Sequence, residues 1–338
     1  MKTGTPAIQR AASLVPLPAL LTELGVDPDA VLAGTGVAAD ALKPDVFIPY
    51  AAYLAILDNA VRITGREDFG LLLGRRQTLA ALGPLGRVMR HAATLGEAMA
   101  EFAAFQIGNS TGGTVYLIRA ERDVVLGYGI YDPAIRASPY VHDVVLAVGC
   151  CLLAELTRGA VEPEELLSSR AAPKDLKPYR ILGRCPIRFG QTQTGLVLGA
   201  ANLGLAPPEA DDALHGAALA DLAPDLAAAR KKMRGLVAHV LRHLLLVDRA
   251  KMGDVASYLG IHPRSLRRRL REEGTTFEAI RDEVRYTAAR ELLRLGALSI
   301  TDIAVALDYA SASSFVHAFR RWSGTTPTEW RDRAGRMR

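Results

Sequence analysis

One short pattern occurs twice in the last third of this chain. Residues 252–261 read MGDVASYLGI and residues 300–309 read ITDIAVALDY, with matching apolar and alanine positions. A short polar turn and a second helical stretch follow each copy, over residues 263–272 and 312–322. A helix, a tight turn and a crossing second helix, with a small alanine where the helices meet, is the helix-turn-helix layout. The sequence therefore predicts two such units, over residues 252–272 and 300–322.

The second helix of each unit carries polar residues that suit contact with DNA. In the first unit, Leu266 and Leu270 form an inward stripe, and arginines occupy most other positions. Arginine binds guanine O6 and N7 in the major groove or neutralises phosphates. The second unit has serines and a histidine instead, so we expect the first unit to dominate base recognition. The candidate DNA contacts are Arg264, Ser265, Arg267, Arg268 and Arg271 in the first unit, and Ser313, Ser314, His317, Arg320 and Arg321 in the second.

The stretch between the two units predicts one long helix. Residues 277–295 place Ile280, Val284, Ala288 and Leu292 at four-residue steps, which predicts a single inward face. Such a helix spans ~28 Å at 1.5 Å per residue. Because one turn of DNA is ~34 Å, a rigid helix of this length could hold two recognition helices in successive segments of the major groove.

Positive charge is concentrated at the C-terminal end. The whole chain has 41 Lys and Arg against 36 Asp and Glu, a net charge of +5. From residue 231 onward the count is 21 against 12, whereas residues 1–230 carry 20 against 24. A basic domain attached to a slightly acidic body favours a polyanionic partner for the basic domain alone.

The rest of the chain predicts an α+β domain over residues 1–225, with helices and a small antiparallel sheet in one core. Apolar steps of three and four predict helices over residues 14–24, 50–64, 69–79, 85–106, 140–157 and 175–182, with capping-box spacing at Thr94 and Glu97. Strands are predicted over residues 114–119, 124–130, 165–169, 187–189 and 195–198, the first two as a hairpin. Residues 206–232, interrupted by Pro207, Pro208 and Pro224, predict a helix and a linker. The all-α basic domain then covers residues 226–338, with residues 235–246 as its first helix.

Composition argues against several other classes of protein. Hydrophobic residues make up 49% and charged residues 23%, as in soluble globular proteins. Apolar stretches fall short of the ~20 residues that span a bilayer, and the N-terminus lacks a signal-peptide layout, so a cytoplasmic protein without membrane contact is expected. Cys150, Cys151 and Cys185 lack paired spacing, and His91 and His142 are isolated. We therefore expect no metal, no cofactor and no enzymatic activity.

Several motifs of the basic domain occur in a fixed order. They are Val255-Ala256 with Leu259-Gly260, Ser265-Leu266-Arg267-Arg268, Arg285 with Ala289-Arg290-Glu291-Leu292-Leu293, Ile300 with Ile303-Ala304 and Leu307, Ser314-Phe315 with Ala318-Phe319-Arg320-Arg321, and Gly324 with Thr326-Pro327 and Trp330-Arg331. Residues 236–331 thereby resemble the DNA-binding domain of the AraC/XylS family of bacterial transcription regulators. The resemblance implies base contacts at Arg264, Arg267 and Arg268, and at Ser313, Ser314 and His317.

Two positions depart from the family pattern. Asp308 stands where the family usually has glycine in the second turn. Aspartate tolerates a left-handed backbone better than most residues, so the turn is expected to form. His317 stands where an arginine is usual, which weakens the expectation of a strong contact from the second recognition helix.

The N-terminal domain carries a second resemblance. The segments Thr94-Leu95-Gly96-Glu97-Ala98, Tyr179-Arg180 and Gly183-Arg184-Cys185-Pro186-Ile187-Arg188-Phe189-Gly190 resemble the "arabinose-binding" type effector domain of one AraC subgroup, which includes ornithine-responsive regulators. The resemblance implies a sensory and dimerising domain. It names no ligand, because members of this subgroup do not share one.

Two sets of side chains are candidates for effector binding. The first set is Arg180, Arg184 and Arg188, and the second is Tyr116, Tyr128 and Tyr131. The arginines are spaced by four and would suit a carboxylate, although surface ion pairs explain them equally well. The tyrosines could line a pocket, although aromatic residues on a half-buried sheet are more often plain core.

The leading hypothesis is a transcription regulator controlled by a small-molecule effector. Its expected partners are double-stranded promoter DNA, RNA polymerase, the effector and a second copy of the chain as a homodimer. Ligand would shift a balance between arrangements of the two DNA-binding domains. One alternative is an effector-independent DNA-binding regulator. A less favoured alternative is an enzyme with an appended DNA-binding domain, which would need a nucleophilic cysteine in a polar pocket or a metal site.

Overall fold

The computed structural model divides the chain into two compact units. It describes residues 7–119, 122–130, 135, 138–191, 193–230, 233–234, 237–238, 240–241, 250–258, 262–295 and 299–335. The first unit comprises residues 1–130 and 134–228, and the second comprises residues 131–133 and 229–338. Much of the predicted helix over residues 235–246, the first predicted turn at residues 259–261 and the candidate Tyr131 lie outside the described residues.

Helices form most of the first unit. They are α1 (Leu17–Glu23), α2 (Pro28–Leu32), α3 (Tyr50–Thr64), α4 (Phe69–Gly74), α5 (Pro84–His91), α6 (Leu95–Phe105), α7 (Tyr140–Thr157) and α8 (Asp212–Arg230). The predictions for α3 and α7 are confirmed at both ends. The helix predicted over residues 69–79 is shorter, and the one predicted over residues 175–182 is a 3₁₀ helix, Lys177–Leu182.

The single helix predicted over residues 85–106 is wrong, because α5 and α6 are separate helices. The break lies at the capping-box spacing. Thr94 Oγ1 accepts a hydrogen bond from the Glu97 amide at 3.1 Å, and the Glu97 carboxylate accepts one from the Ala93 amide at 2.8 Å. These reciprocal bonds satisfy amides that a helix N-terminus leaves without partners, so a new helix starts inside an apolar stretch.

A five-stranded sheet forms the other layer of the first unit. Its strands are β3 (Thr114–Arg119), β4 (Asp123–Gly129), β5 (Glu165–Leu167), β6 (Ile187–Arg188) and β7 (Thr194–Gly199), in the spatial order β3-β4-β7-β5-β6. The hairpin β3–β4 is confirmed, and the pairing is antiparallel except between β5 and β6, which are parallel. A two-stranded sheet of β1 (Ile8–Arg10) and β2 (Phe47–Pro49) was not predicted, since each strand has only three residues.

Helix α7 is the central helix of this unit. It packs on α4, where Gly70 and Gly74 leave room for its backbone, and on the sheet, where Gly149 faces Leu196. Within the described residues, α7 is the helix with the length and hydropathy of a membrane span, at 18 residues and a mean hydropathy of 1.6. Half of it is buried inside the unit. A core helix of a folded domain shows the same properties.

A buried ion pair ties α7 to the segment after β5. Asp143 is fully buried and accepts hydrogen bonds from the Arg170 guanidinium and, at 2.8 Å, from the Tyr179 hydroxyl. The guanidinium also lies 5.1 Å from the centroid of the Tyr140 ring. Burial raises the pKa of Asp143 to about 6, although Arg170 acts in the opposite direction. Removing either partner would leave a buried group without its counterpart, which is strongly destabilising.

Helix α8 continues through the region predicted to become a linker. Pro224 lies inside α8 rather than ending it. Ala218 and Leu222 are buried in the core of the first unit, and Arg87 pairs with Asp221 at 2.9 Å. An internal proline removes one helical hydrogen bond, and this tertiary packing offsets the loss.

Six helices follow in the described part of the second unit. They are α9 (Met252–Tyr258), α10 (Pro263–Glu272), α11 (Phe277–Leu295), α12 (Ile300–Ala306), α13 (Ala312–Ser323) and α14 (Pro327–Gly335). The pairs α9–α10 and α12–α13 are the two helix-turn-helix units, and α11 is the long helix between them. The predicted fold class, a mixed sensor domain followed by an all-α domain with two such units, is confirmed.

The close approach of α4 and α7 can be tested at Gly74. A Cβ there would lie 2.6 Å from the Val144 carbonyl oxygen and 2.7 Å from the Ala147 Cβ. We expect Gly74→Ala to lower the free energy of unfolding by about 1–3 kcal/mol, because the two backbones must separate. Gly204→Ala is the control, since no atom lies within 4 Å of its added Cβ. Calorimetric melting curves that are equal for both variants would contradict the tight packing.

Candidate nucleic-acid interface

The first helix-turn-helix unit is held together by small and apolar side chains. Val255 and Ala256 on α9 are buried, as are Leu266 and Leu270 on α10. Pro263 occupies the first turn of α10, as predicted, and the His262 imidazole Nδ1 caps the helix by accepting from the Arg264 amide at 3.2 Å. Proline suits this position because the first amides of a helix have no helical partner. The sequence reasoning had not identified the His262 cap.

The opposite side of α10 presents arginines to solvent. The exposed candidates on this helix are Arg264, Arg267, Arg268 and Arg271, while Ser265 is half-buried. At about 100° per residue the arginines share one arc of roughly 100°, facing away from the buried leucines. Arg268 also lies 3.8 Å from Glu272, as an exposed pair one helical turn apart. Such an exposed pair is weak and leaves the guanidinium able to meet DNA.

The second unit repeats the framework with different surface chemistry. Ser311 caps α13 by accepting from the Ser314 amide at 3.1 Å, and Phe315 and Phe319 are buried where α10 has leucines. All five candidates on α13 are exposed: Ser313, Ser314, His317, Arg320 and Arg321. By the same rotation, Ser313, His317 and Arg320 share the outward arc, whereas Ser314 and Arg321 lie to one side.

Contacts within the protein occupy the side-facing candidates of α13. Arg321 Nη2 donates to the Asp282 carboxylate of α11 at 2.7 Å, and Asp282 also accepts from the Trp322 indole at 3.3 Å. The Ser314 hydroxyl is 2.9 Å from that of Ser311. Arg321 therefore fixes α13 on α11 in addition to any contact with phosphate.

Helix α11 buries opposite sides along its length, and the predicted single face is wrong in its second half. Ile280 and Val284 are fully buried, as predicted, but the fully buried residues further along are Ala289 and Leu293. Ala288 and Leu292 are only half-buried. Nine residues at about 100° each turn the helix by half a revolution relative to Ile280. Ala289 and Leu293 belong to the core of the second helix-turn-helix unit, which explains the change of side.

Asp308 has a second role besides forming the turn. Its φ is 57°, the left-handed geometry expected at this position. In addition, Arg285 of α11 donates to the Asp308 carboxylate at 2.6 Å and to its backbone carbonyl at 3.0 Å. The Arg285 guanidinium is buried and stacks 4.8 Å from the Tyr309 ring centroid. This link between turn and connecting helix is signalled in the sequence only by an arginine beside the inward Val284.

Comparison with known proteins agrees with this geometry. Residues 25–206 match the family model described as the arabinose-binding domain of AraC transcription regulator, N-terminal, and residues 255–333 match a helix-turn-helix domain. The chain belongs to the AraC family of transcription regulators. It is therefore a DNA-binding regulator and not an enzyme.

Relatives match over nearly the whole chain. The transcriptional regulator VirS of Mycobacterium tuberculosis is 29% identical over 331 residues, covering 96% of this chain and 97% of VirS. The ornithine utilization regulator of Pseudomonas aeruginosa is 25% identical over 328 residues and covers 93% of each chain. The crystal structure of the regulator CdpR from Pseudomonas aeruginosa covers 95% of this chain and 98% of its own, at 25% identity and a TM-score of 0.48.

The candidate effector residues of the first unit do not form one site. Tyr128 lines a cavity on the inner face of the sheet. Tyr116 pairs with Gly127 on the opposite face, where its hydroxyl donates to Gln193 at 3.1 Å. Arg180 and Arg184 are exposed, and neither lines that cavity. Arg188 is also exposed and pairs with Glu165.

The titratable groups of the first unit have structural surroundings. Burial lowers the pKa of His142 to about 4, with a further contribution from Arg170, and its Nδ1 lies 2.8 Å from the Thr194 hydroxyl. Burial raises the pKa of the Cys150 thiol to about 12 and also raises that of Cys151. A thiol with a raised pKa is a poor nucleophile at neutral pH, which agrees with a packing role for these cysteines.

Glu97, Glu101 and His215 meet where α6 contacts α8. Their ligand atoms lie within 4.8 Å of one another, and among the described residues this is the group with metal-binding spacing. Glu97 caps α6, and His215 Nε2 lies 2.9 Å from the Glu101 carboxylate. These bonds explain the cluster as a cap and an ion pair that hold α8 in place.

The asymmetry between the two recognition helices can be measured. We expect Arg267→Ala to abolish the preference for operator over random DNA, a loss of at least about tenfold, since one two-bond arginine–guanine contact is worth about 1–3 kcal/mol. His317→Ala should weaken binding much less. Arg269→Ala is the matched control, because it removes the same charge from an exposed residue at the edge of the arginine arc. Equal losses for Arg267→Ala and His317→Ala in gel-shift titrations would show that both helices read bases alike.

The role of Asp308 can be separated into backbone geometry and charge. Asp308→Ala retains the left-handed strain and loses the acceptor for buried Arg285, so we expect a loss of about 2–4 kcal/mol in unfolding free energy. Asp308→Gly relieves the strain and should lose less. Asp308→Asn retains both a tolerant residue and an oxygen acceptor and should lose least. A glycine variant as stable as the original chain, by calorimetry, would show that the pair with Arg285 contributes nothing.

Proposed function

We propose that this chain is an effector-controlled transcription regulator that recognises promoter DNA mainly through α10. The arc of exposed arginines on α10 carries the proposal, because arginine is the residue most suited to reading guanine in the major groove. The corresponding arc of α13 presents serine and histidine together with Arg320. Helix α13 then contributes mainly orientation and phosphate contacts.

The two parts of the chain have separate roles in this proposal. Residues 1–225 form the effector-binding and dimerisation domain, and residues 226–338 bind DNA and contact RNA polymerase. The family match to an arabinose-binding type domain over residues 25–206 supports a sensory role for the first part. The protein acts as a homodimer in the bacterial cytoplasm, bound to the nucleoid when it occupies its operator.

Control by the effector follows from a shift of population. A ligand that binds one arrangement of the dimer better than another favours that arrangement by the ratio of its two affinities. The spacing between the two DNA-binding domains then changes which operators a dimer can occupy. A regulator without an effector would show no such dependence.

Operator preference tests the proposed function. At about 150 mM salt, where phosphate binding alone is weak, the purified chain should bind its own upstream region at least about 10³-fold more tightly than random DNA. Sedimentation of the free protein should show a dimer. Equal affinity for both DNAs would overturn the assignment of α10 as a sequence reader, and a monomer at all concentrations would overturn the dimer.

A further inference from the structure

The first unit contains a cavity between its sheet and α7. Its volume is about 130 Å³. Strands β3, β4 and β7 form one wall, through Val115, Leu126 and Leu196. Helix α7 forms the facing wall with a row of small apolar side chains that includes Val145 and Val148. Most of the interior surface is therefore apolar, and apolar cavities of roughly this size bind molecules such as benzene.

One end of the cavity is polar. Gln106, at the end of α6, lines it there together with Arg10, Gln77 and Asn109. Gln106 is buried, yet among the described residues its Oε1 has no hydrogen-bond partner. Buried polar atoms in native proteins nearly always have a partner, so an acceptor of this kind calls for a donor from outside the chain.

Charge at the cavity restricts what can bind. Arg10 is the charged residue in the wall, and its guanidinium is already engaged by Asp45, by the Pro44 carbonyl at 2.6 Å and by Asn109. None of the described lining residues is Asp, Glu or Lys. An ammonium group would therefore be buried without a carboxylate, and a carboxylate would have to compete with Asp45 for Arg10. Burying an unpaired charge is far more costly than burying a hydroxyl that makes a hydrogen bond.

We propose that this cavity is the effector site and that it takes a small, uncharged, mainly apolar molecule with one hydrogen-bond donor, of the alcohol or phenol class. The donor bonds to Gln106 Oε1, and the apolar body lies between Val115 and Leu126 of the sheet and Val145 and Val148 of α7. This inference rests on the proposed function for the statement that the occupant is an effector. The ligand differs in charge from the amino acid named for the ornithine utilization regulator.

Four compounds of one shape test the chemistry of the site. Benzyl alcohol, toluene, benzylamine and benzoate share a ring and differ in the group attached to it. We expect calorimetric titration of the full chain at pH 7 to show benzyl alcohol binding about three- to tenfold more tightly than toluene, the worth of one hydrogen bond. The two charged compounds should bind at least about tenfold more weakly than benzyl alcohol.

Variants of the lining residues locate the site. Gln106→Leu removes the acceptor at similar size, so benzyl alcohol and toluene should bind it equally. Val145→Phe fills the cavity and should abolish binding of both, with Val148→Phe as the second variant if the first does not fold by circular dichroism. Gln191→Leu is the matched control, because Gln191 is a half-buried glutamine that does not line the cavity. It should leave all affinities unchanged.

Several results would overturn the inference. They are the absence of benzyl alcohol binding at millimolar concentration, tighter binding of either charged compound, and unchanged binding in the cavity-filling variants. Operator titrations on the same preparations keep the two proposals apart. Retained operator preference with a failed ligand series removes only the cavity assignment, whereas loss of operator preference in the unmodified chain removes the proposed function.

Discussion

The second unit depends on the rotation of an α-helix by about 100° per residue, which lets α11 bury opposite sides along its length. Ile280 and Val284 are buried in its first half, whereas Ala289 and Leu293 enter the core of the second helix-turn-helix unit. A helix with one apolar face would support only one neighbour. Because α11 is enclosed in this way, the apolar stripes of α10 and α13 turn inward and their polar arcs are left to solvent.

The two helix-turn-helix units share a framework and differ in everything that faces outward. Alanine is buried at the crossing in both, as Ala256 and Ala304, since a larger side chain would separate the helices. The caps differ, with His262 in one unit and Ser311 in the other. In the second unit, Asp308 joins the turn to Arg285, so this unit gives up surface chemistry and gains an internal link. Divergence of this kind lets one copy specialise in recognition while the other maintains orientation.

The first unit is arranged around α7 in a comparable way. Glycines on α4 allow its backbone to approach closely, and the Asp143–Arg170 pair fixes its polar end. Between α7 and the sheet a cavity remains, lined by valines that are only partly covered. Protein cores normally pack without voids much larger than a water molecule, so a cavity of this size in a sensory domain is best explained by an occupant.

Local patterns in the sequence by themselves determined the two helix-turn-helix units, helices α3 and α7, the β3–β4 hairpin and the outward position of the α10 arginines, because periodicity and caps act within a few residues. Only the tertiary structure decided which side of α11 is buried at Ala289, that α8 continues through Pro224, and that Arg285 meets Asp308. The same holds for the cavity, where Tyr128 and Gln106 meet α7 while Tyr116 faces away. These features depend on contacts between segments far apart in the chain, and the energy of such contacts overrides local preference.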